Sequence, residues 1–581
     1  MVKTKGKLEN LRKAYESSPL NGVVGIGHTR WATHGEPNDI NAHPHKYGRV
    51  TVVHNGIIEN YRELKEQLIA KKHIFTSGTD TEIIAHLLDE ELTSDISPRE
   101  ALWNMLEKIE GTWGIAVLVD GEPHRLWCAK NGSPLILGRG AHENLIASDI
   151  PALLSHTRDM IFLEDGDTAE LTEDEIFIWS SPEKRVERPV LCIRRYSSSD
   201  DTRVERAAQH INWNPIMAEK GGYKHFMLKE IFEQPRSVAD TLAERVHSDR
   251  QTIEFADFSF DPEKFDRIYI VAFGTSYYAA LIGKYMIENG ARIPVEVDMG
   301  SEFRYRNPLI TERDLLITIS QSGETADTLA ALNMAIERGA TVLGIVNVLG
   351  SAIARKSHHA IYTHAGPEIG VASTKAFTAQ LIVLSLLSIH MGIKTGQLEG
   401  EELGNIIEGL LRLPNQIHRV LDQSAQINVI ARRYAHCNAF LFIGRGINYP
   451  VAMEGALKLK EISYVHAEGY PAGEMKHGPI ALIDEHLPVL AIAPKGPFSE
   501  KMLSNIEEVK SRRGKVIAIT SEGETGLGSL ADDLFMVPNT HALLQPVLTV
   551  IPLQLFAYYT ADIKGTDIDQ PRNLAKSVTV E

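Results

Sequence analysis

Cysteine is scarce in this chain. Its 581 residues contain three, Cys128, Cys192 and Cys437, which lie far apart and are odd in number. They form neither a disulfide framework nor the ligand spacing of a zinc site. We therefore expect a protein of a reducing compartment, the cytoplasm, without a structural metal.

Positive charge is also in deficit. The chain has 60 Lys and Arg against 76 Asp and Glu, a net charge of −16 at pH 7. This balance argues against general binding to nucleic acid or to an anionic membrane. An anionic ligand would have to be held by a local site.

Long hydrophobic runs are few and interrupted. The first residues, Met-Val-Lys-Thr-Lys-Gly-Lys, are not followed by the apolar run of a signal peptide. The stretch 376–393 contains Gln380, Ser385, Ser388 and His390, and the stretch 536–561 contains prolines. We interpret both as buried or interfacial segments and expect no membrane association.

The length and the pattern predict several domains. From Gly22 to about Arg195, short β-branched runs are interrupted by helices over 61–70 and 81–92, which indicates an α+β domain. Polar residues from Tyr196 onward indicate a linker. We predict a first domain over 1–195, a linker and helix over 196–245, two domains over 246–395 and 396–560, and a tail over 561–581.

The second half contains a weak internal duplication. The strand and turn Ile268 to Ser276 match Ala439 to Gly446, and both are followed by a helical pattern. Later, Arg338-Gly339 and Arg513-Gly514 each precede an apolar run. The repeated order of strand, turn and helix predicts two doubly wound α/β domains with parallel sheets.

The central motif of the chain is a turn of small hydroxyl residues. The apolar run Leu315 to Ile319 predicts a buried strand, and a helical pattern begins at Ala326. Between them, Ser320-Gln-Ser-Gly-Glu-Thr325 would offer hydroxyl and backbone donors to a phosphate at a helix N-terminus. No Lys follows the glycine, so this is not a nucleotide-binding P-loop. The alternative is an N-cap turn without a ligand.

Several long motifs resemble one family. They are Ser320 to Thr325, Gly370-Val-Ala-Ser-Thr-Lys375, Glu454 to Glu461, Gly473 to Pro479, Asp569 to Glu581 and, near the N-terminus, His28 to Gly35, His54 to Gly56 and Thr79 to Glu82. Together they resemble the glutamine–fructose-6-phosphate aminotransferases (isomerising), the glucosamine-6-phosphate synthases. The resemblance runs from about Gly22 to the last residue.

This resemblance implies a fold and a reaction. The fold is an N-terminal-nucleophile glutamine amidotransferase domain, two sugar-isomerase (SIS) domains and a tail that enters the sugar site. Ammonia from glutamine passes through an internal channel to fructose 6-phosphate and gives glucosamine 6-phosphate. The family pattern includes no cofactor and no metal, and it implies a homodimer that shares sugar sites.

The resemblance also assigns the sugar site. Lys576 would form a Schiff base with the open-chain ketone, and Glu461, with Lys458 beside it, would move a proton between C1 and C2. His477 would shuttle the proton that opens the ring. The phosphate anchor and the pocket lining would be Ser276, Ser320, Gln321, Ser322, Thr325, Val371 and Ser373.

The glutamine site is assigned in the same way. Arg30 would bind the glutamine carboxylate and Asp80 its ammonium group, with Thr33 and His34 in the pocket. Asn55 and Gly56 would form the oxyanion hole, although Asn-Gly alone indicates a hairpin turn. Trp31 would gate the channel.

The chain departs from the family pattern at its beginning. The family's glutaminase starts with a catalytic cysteine, whereas this chain starts Met1-Val2-Lys3 and its nearest cysteine is Cys128. We therefore expect an incomplete first domain that lacks the catalytic segment and retains only the ammonia-dependent half of the reaction. Two alternatives are a SIS-type sugar-phosphate isomerase and a sugar-phosphate-sensing module without glutamine chemistry.

Overall fold

The computed structural model describes residues 1–30, 34–93, 95–180, 202–211, 213, 217, 219–249, 251–524 and 526–577. Its described residues divide into two compact units, one within residues 1–215 and the other within residues 216–577. The division falls inside the stretch predicted as a linker, 196–245. The predicted linker signal at Tyr196 and the predicted domain end at residue 195 lie outside the described residues.

The first unit combines helices with antiparallel strands. Its elements are α1 (Leu8–Ser17), β1 (His45–Tyr47), β2 (Val50–Ile58), α2 (Tyr61–Ala70), α3 (Glu82–Glu91), α4 (Pro98–Leu106), β3 (Gly111–Val119), β4 (Leu126–Asn131), β5 (Ile136–Arg139), β6 (Asn144–Ala147), β7 (Asp159–Phe162), β8 (Asp167–Leu171), β9 (Ile176–Ser180), β10 (Thr202–Val204) and β11 (Gln209–His210).

Two sheets and a helical layer build this unit. One sheet has seven strands in the order β1-β2-β3-β4-β8-β9-β10, and the other has four in the order β11-β7-β5-β6. Val52 and Ile115 of the larger sheet pack with Trp103 of α4, whereas their neighbours Val53 and Ala116 pack toward the smaller sheet. Successive side chains on a strand point to opposite faces, so the larger sheet forms the middle layer.

The second unit alternates strands with helices. Its elements are α5 (Phe226–Phe232), α6 (Gln234–Leu242), β12 (Val246–His247), β13 (Thr252–Ile253), β14 (Arg267–Ala272), α7 (Gly274–Ala291), β15 (Val295–Met299), α8 (Gly300–Tyr305), β16 (Asp314–Ser320), α9 (Ala326–Glu337), β17 (Thr341–Val346), α10 (Ala352–Lys356), β18 (His359–Tyr362), α11 (Lys375–Lys394), α12 (Gly400–Leu421), α13 (Ser424–Tyr434), β19 (Ala439–Gly444), α14 (Asn448–Ser463), β20 (His466–Pro471), β21 (Val489–Ile492), α15 (Ser499–Lys510), β22 (Val516–Ser521), β23 (Asp533–Val537) and α16 (Gln545–Lys564).

The two parallel sheets of this unit have the same strand order. The first runs β15-β14-β16-β17-β18 and the second β20-β19-β21-β22-β23, with every pairing parallel. In each, the second strand of the chain lies outside the first, and the third to fifth follow on the other side. This is a doubly wound order, which confirms the predicted fold class.

Long apolar helices cover both sheets with a continuous core. Buried side chains of α7, α11, α12 and α16 pack in one cluster with residues from β14, β16, β19 and β21. Among the described helices, α11 alone is long and apolar enough to cross a bilayer, and 94% of its apolar window is buried inside the protein. That burial is the behaviour of a core helix.

Candidate active site

The predicted hydroxyl turn lies at the carboxyl edge of the first parallel sheet. Strand β16 ends at Ser320 and α9 begins at Ala326, while β14 ends at Ala272 and α7 begins at Gly274. Because β14 and β16 pair directly, their two turns lie side by side. Ligands bind to doubly wound sheets at this edge.

Hydroxyl groups fill the turn after β16. Ser320 Oγ lies 3.0 Å from Thr325 Oγ1 and accepts a hydrogen bond from the Gly323 N–H at 3.0 Å. The Glu324 N–H donates to Ser322 Oγ at 3.2 Å. Gly323 has a φ of +69°, and a Cβ there would lie 2.1 Å from Ser351 Oγ, so the turn requires glycine.

The neighbouring turn brings Ser276 to the same edge. Ser276 lies in the first turn of α7, and its Oγ accepts a hydrogen bond from Gln380 Nε2 of α11 at 3.0 Å. Gln380 was predicted only as a polar interruption of a buried segment. The structure gives it a role in positioning Ser276.

The C-terminal tail places Lys576 next to a buried carboxylate. Lys576 Nζ donates to Glu368 Oε2 at 2.6 Å and to the Gly370 carbonyl at 2.8 Å. The Val371 N–H donates to the Asp569 carbonyl at 3.0 Å, which joins the tail to the loop after β18. Ser373 Oγ lies 3.3 Å from Glu368 Oε1. Val371 follows Gly370, and Ser373 contacts the carboxylate that pairs with Lys576, while their role in the sugar pocket stays a prediction.

Glu368 is held as a carboxylate. Its Oε1 accepts hydrogen bonds from the Thr374 N–H at 2.9 Å and the Ala376 N–H at 3.0 Å. Burial raises the pKa of Glu368, but the Lys576 charge and these donors outweigh it, so the net shift is downward. The sequence did not single out Glu368. Its only signal is its position two residues before the Gly370 motif.

Helix α14 carries a second buried charge cluster. Lys458 Nζ lies 2.5 Å from Glu461 Oε2 and 3.6 Å from Glu454 Oε1, and it donates to Thr275 Oγ1 at 3.0 Å. The side chains of Lys458 and Glu454 are 1% and 0% exposed. An exposed Lys–Glu pair is the ordinary interpretation of the three-residue spacing, whereas here Lys458 is buried and the Glu461 side chain is 20% exposed.

The three charged groups of α14 divide into an ion pair and a neutral acid. Burial raises the pKa of Glu454 to about 8, with the Glu461 charge adding to it and Lys458 opposing it. Burial lowers the pKa of Lys458, but the carboxylates of Glu454 and Glu461 outweigh it and raise it above its ordinary value. At neutral pH, Lys458 therefore pairs with Glu461 while Glu454 is protonated.

Glu454 is a second residue that the sequence did not assign. It begins the motif Glu454 to Glu461 and lies one helical turn before Lys458. Its Oε2 has no hydrogen-bond partner among the described residues. Thr275, next to Ser276, donates to Glu454 Oε1 at 3.3 Å, which joins the α14 cluster to the turn after β14.

His477 lies apart from these contacts in the described chain. It ends the 3₁₀ helix Ala472–His477, and its side chain is exposed. No hydrogen bond or ion pair between described residues joins it to Lys576, Glu461 or Lys458. Its proton-shuttle role stays a prediction.

The residues predicted to bind glutamine, Arg30 and Asp80, lie in the first unit. The Arg30 guanidinium donates to the carbonyl groups of His34 and, at 2.9 Å, of Gly35. Asp80 is 3% exposed and accepts a hydrogen bond from the Ile58 N–H at 2.9 Å. Burial lowers the pKa of Arg30 and the Asp80 charge opposes this shift, so the two side chains lie within electrostatic reach.

Only some of the other residues predicted for the glutamine site are among the described residues. Asn55 and Gly56 lie in the middle of β2, opposite Gly114 and Trp113, so the Asn-Gly pair forms no hairpin turn. His34 Nδ1 is buried without a hydrogen-bond partner among the described residues. Trp31 and Thr33 lie outside the described residues.

Four histidines pack beside this region. His28 stacks on His43 with ring centroids 4.4 Å apart, and His43 meets His45 edge-on at 4.9 Å. His54 Nδ1 lies 3.1 Å from Thr81 Oγ1. Burial lowers the pKa of His28 to about 4 and that of His45 to about 4, so both rings are neutral at pH 7. Among the described residues, no group of three or more His, Cys, Asp and Glu is arranged to hold a metal ion.

Cys128 is unsuited to nucleophilic chemistry. It lies in β4 with no exposed surface, and burial raises the pKa of its thiol far above the ordinary value. A buried neutral thiol is inert. Cys192 lies outside the described residues.

Family models match both units. A SIS domain model matches residues 263–390 and again 433–563, and a glutamine amidotransferase domain model matches residues 28–155. The two SIS matches contain the two parallel sheets. Because the amidotransferase model matches, a sugar-phosphate-sensing module without glutamine chemistry does not describe this chain.

Curated relatives match the whole chain. The glutamine–fructose-6-phosphate aminotransferase (isomerising) of Thermus thermophilus is 49% identical over 584 residues, which cover 100% of this chain and 93% of that protein. The chain belongs to the glutamine–fructose-6-phosphate aminotransferase (isomerising) family. A second member, from Aquifex aeolicus, is 48% identical over 581 residues, 100% of this chain and 92% of its own length.

A solved structure from the family supports the same assignment. The C-terminal domain of glucosamine-fructose-6-phosphate aminotransferase from Francisella tularensis is 40% identical, with a TM-score of 0.57, and it covers 61% of this chain and 99% of that chain. The chain is thus an enzyme of this family, with two SIS domains and a glutamine amidotransferase domain. The prediction that it lacks the family's N-terminal catalytic segment is not borne out by these matches.

Proposed function

We propose that this protein converts fructose 6-phosphate and glutamine to glucosamine 6-phosphate and glutamate. The observation that carries the proposal is the Lys576–Glu368 pair, which the tail places in the unit that holds the hydroxyl turn and the α14 charge cluster. A lysine beside an ionised acid is equipped for Schiff-base chemistry. The names of the full-length relatives support the same substrates.

Substrate binding comes first. Ser320, Ser322 and Thr325, with Gln321 and with Ser276 from the adjacent turn, supply uncharged donors to the sugar phosphate at the N-termini of α9 and α7. None of these side chains carries a charge. His477 would supply the proton transfer that opens the ring.

The next step uses the buried pair. As the Lys576 ammonium transfers a proton to Glu368, 2.6 Å away, its amine becomes nucleophilic and attacks C2 of the open ketone. A C–N bond forms and the C2 oxygen leaves as water. Ammonia then displaces Lys576 from C2, and the carbon–nitrogen double bond remains on the sugar.

Isomerisation completes the reaction. Glu461 would remove a proton from C1 and return one to C2, while the hydroxyl proton on O1 is lost and nitrogen gains one, which converts the C2 imine to the C2 amine and leaves an aldehyde at C1. The Lys458 charge, 2.5 Å from Glu461, favours the carboxylate that takes the proton. Protonated Glu454 keeps this buried cluster from acquiring an uncompensated negative charge.

Lys576→Arg tests the Schiff base. Arginine retains the charge and can still pair with Glu368, but it cannot release a proton at neutral pH. We expect ammonia-dependent product formation to fall at least about 1,000-fold while fructose 6-phosphate still binds by calorimetry. Lys564→Arg, an exposed position on α16, is the matched control. Unchanged product formation in Lys576→Arg would refute the assignment.

The nitrogen source is a separate question. Cys128 is inert, so we propose that a different group is the nucleophile for glutamine hydrolysis and that ammonia supports the SIS half directly. The assay measures glucosamine 6-phosphate formed by the full chain with glutamine or with an ammonium salt. Product from ammonium alone means that only the ammonia-dependent half works in this chain, and product from both means that a glutaminase nucleophile is present.

We also propose the homodimer that the resemblance implies, with sugar sites shared between copies. An exposed His477 without a contact to Lys576 in its own chain is consistent with this arrangement. The test mixes the inactive variants Lys576→Arg and His477→Ala after joint refolding. Shared sites would restore up to about a quarter of the activity, because half of the dimers would contain one intact site of two. Sites built from a single chain would restore none.

A further inference from the structure

The second parallel sheet has a crevice of its own at the corresponding edge. A cavity of about 460 Å³ lies beyond the carboxyl ends of β19 and β21, lined in part by Ile447, Asn448 and the residues 494 and 496–498. By the repeat, these segments correspond to the turns after β14 and β16. The cavity size is typical of small-molecule sites.

This crevice is not a second phosphate site. Among the described residues that line it, none is Lys or Arg, and the one charged side chain, Glu402, is exposed. The turn after β21, residues 494–497, contains Pro494, Gly496 and Pro497 but no hydroxyl residue, and its exposed Lys495 does not line the cavity.

Two of the helix ends at the crevice, those of α14 and α16, have few free donors. The Asn448 and Tyr449 N–H groups at the start of α14 donate to the Arg445 and Gly446 carbonyls, each at 3.0 Å, and Pro450 has no N–H. At the start of α16, the Gln545 and Val547 N–H groups likewise donate within the chain, at 3.2 and 3.1 Å, and Pro546 separates them. An anion would therefore find little hydrogen bonding at these two helix ends.

Neutral polar groups line the crevice instead. Asn448 is 6% exposed, and its Oδ1 has no hydrogen-bond partner among the described residues. His541 Nδ1 accepts a hydrogen bond from the Leu543 N–H at 3.3 Å, which leaves its proton on Nε2. Burial lowers the pKa of His541, so the ring is neutral. A buried acceptor without a partner implies an external donor.

Aromatic and aliphatic side chains complete the wall. Tyr285 and the buried Met286 contribute from α7, and Phe498, 40% exposed, lies at the mouth. A Cβ on Gly446 would lie 2.4 Å from the Phe498 ring, so Gly446 permits this position of the ring. Rings that carry hydroxyl groups match a site with apolar faces and a few fixed amide and imidazole groups.

We propose that this crevice binds an uncharged hydroxylated ring, such as a hexose without a phosphate group. The Asn448 amide oxygen and the His541 Nε2–H would bind its hydroxyl groups, and Tyr285 and Phe498 would cover its apolar face. The inference does not depend on the proposed reaction, because it concerns the second sheet and is tested by binding alone.

The experiment measures binding of glucose and of N-acetylglucosamine to the full chain by saturation-transfer NMR and calorimetry. Glucosamine 6-phosphate is present in excess so that the first sheet's site is occupied. We expect binding of at least one sugar that Glu402→Trp, at the cavity mouth, abolishes. The matched control is Glu401→Trp, since Glu401 is the adjacent exposed residue and does not line the cavity. It should change the affinity less than twofold.

A second variant tests the interior of the crevice. Asn448→Leu keeps the number and branching of the side-chain heavy atoms but removes the unpaired acceptor, and we expect at least tenfold weaker sugar binding with ammonia-dependent turnover retained. Three results would overturn the proposal: no binding of either sugar at about 50 mM, equal binding in Glu402→Trp and Glu401→Trp, or stronger binding of inorganic phosphate than of the sugars in the same crevice.

Discussion

Two buried clusters, one in each unit, hold ionisable groups in opposite ways. In the second unit, Lys576 faces Glu368 and Lys458 faces Glu461, so charges remain charged inside the protein. In the first unit, His28 and His45 have no comparably close carboxylate partner in the described chain, and burial lowers the pKa of each to about 4. Pairing preserves a charge in a low-dielectric interior, whereas burial without a close partner removes it.

This difference has a chemical consequence. A paired lysine can give its proton to the carboxylate beside it, so the second unit is equipped for acid–base steps. A packed group of neutral imidazoles supplies shape and hydrogen bonds at constant charge. In the proposed glutamine site, Arg30 and Asp80 would supply the fixed charges that position a ligand.

Among the variants considered, Glu368→Gln should have the largest effect, because it removes the charge pairing that distinguishes the second unit. The amide keeps the shape but cannot take the proton of Lys576, and it leaves the lysine without its charge partner. We expect kcat for ammonia-dependent synthesis to fall about 100-fold or more, with a smaller change in KM for fructose 6-phosphate. Glu337→Gln, on the exposed end of α9, is the control. A kcat within threefold of the unmodified protein would show that Glu368 only positions the tail.

The histidines predict a pH-dependent stability of the first unit. Folding lowers the pKa of His28 and His45 from 6.5 to about 4. The unfolded chain therefore binds more protons between these values, so stability is full above pH 6.5 and falls as the pH drops toward 4. Each ring contributes at most about 3 kcal/mol to this loss.

Hydrogen exchange of the amides of β1 and β2, measured from pH 7 to pH 4, checks this expectation. His45→Gln should make the stability obtained from this exchange depend less steeply on pH, because glutamine does not titrate. His124→Gln, at an exposed turn, should leave this slope of stability against pH unchanged. A slope that is the same in His45→Gln and in the unmodified protein would contradict the pKa shift of His45.

Asp80→Asn should weaken glutamine binding in the first unit and leave synthesis in the second unit unchanged. The amide can still accept the hydrogen bond from the Ile58 N–H, but the charge that would hold the glutamine ammonium group is gone. We expect glutamine affinity, measured by calorimetry, to fall about tenfold, with ammonia-dependent synthesis unchanged. Asp120→Asn, in an exposed pair with Lys46, is the control. A loss of ammonia-dependent synthesis in Asp80→Asn would mean that the variant disturbs more than the glutamine pocket.

The sequence predicted the elements because its periodic patterns are strong. The helix over 61–70 has those bounds in the structure, and the helix predicted over 81–92 spans Glu82–Glu91. The internal repeat led directly to two sheets with one strand order. Asn55-Gly56 shows the limit, because pairing of β2 with β3 overrides a local preference for a hairpin turn.

The candidate site was predictable where motifs are contiguous. The hydroxyl turn and the α14 motif were found, but Glu368, the role of Glu454 and the packing of the histidines were not. Their importance comes from burial and from partners distant in the chain, such as Lys576, 208 positions after Glu368. Local patterns contain no information about such long-range pairs.

Glu454→Gln should have the smallest effect, and it tests whether Glu454 is neutral at pH 7. Glu454 has a pKa raised to about 8, so it is already neutral at pH 7, and the amide variant should keep synthase activity within about twofold there. A carboxyl group whose pKa rises on folding loses stability as the pH increases from about 4.5 to about 8, so the variant should be more stable than the unmodified protein at pH 8. The difference should vanish toward pH 4.5, and Glu408→Gln, exposed on α12, should show none. Thermal unfolding measured across this range decides the point. If the two proteins have parallel pH profiles, Glu454 is ionised at neutral pH, and the α14 cluster then contains two carboxylates against one lysine.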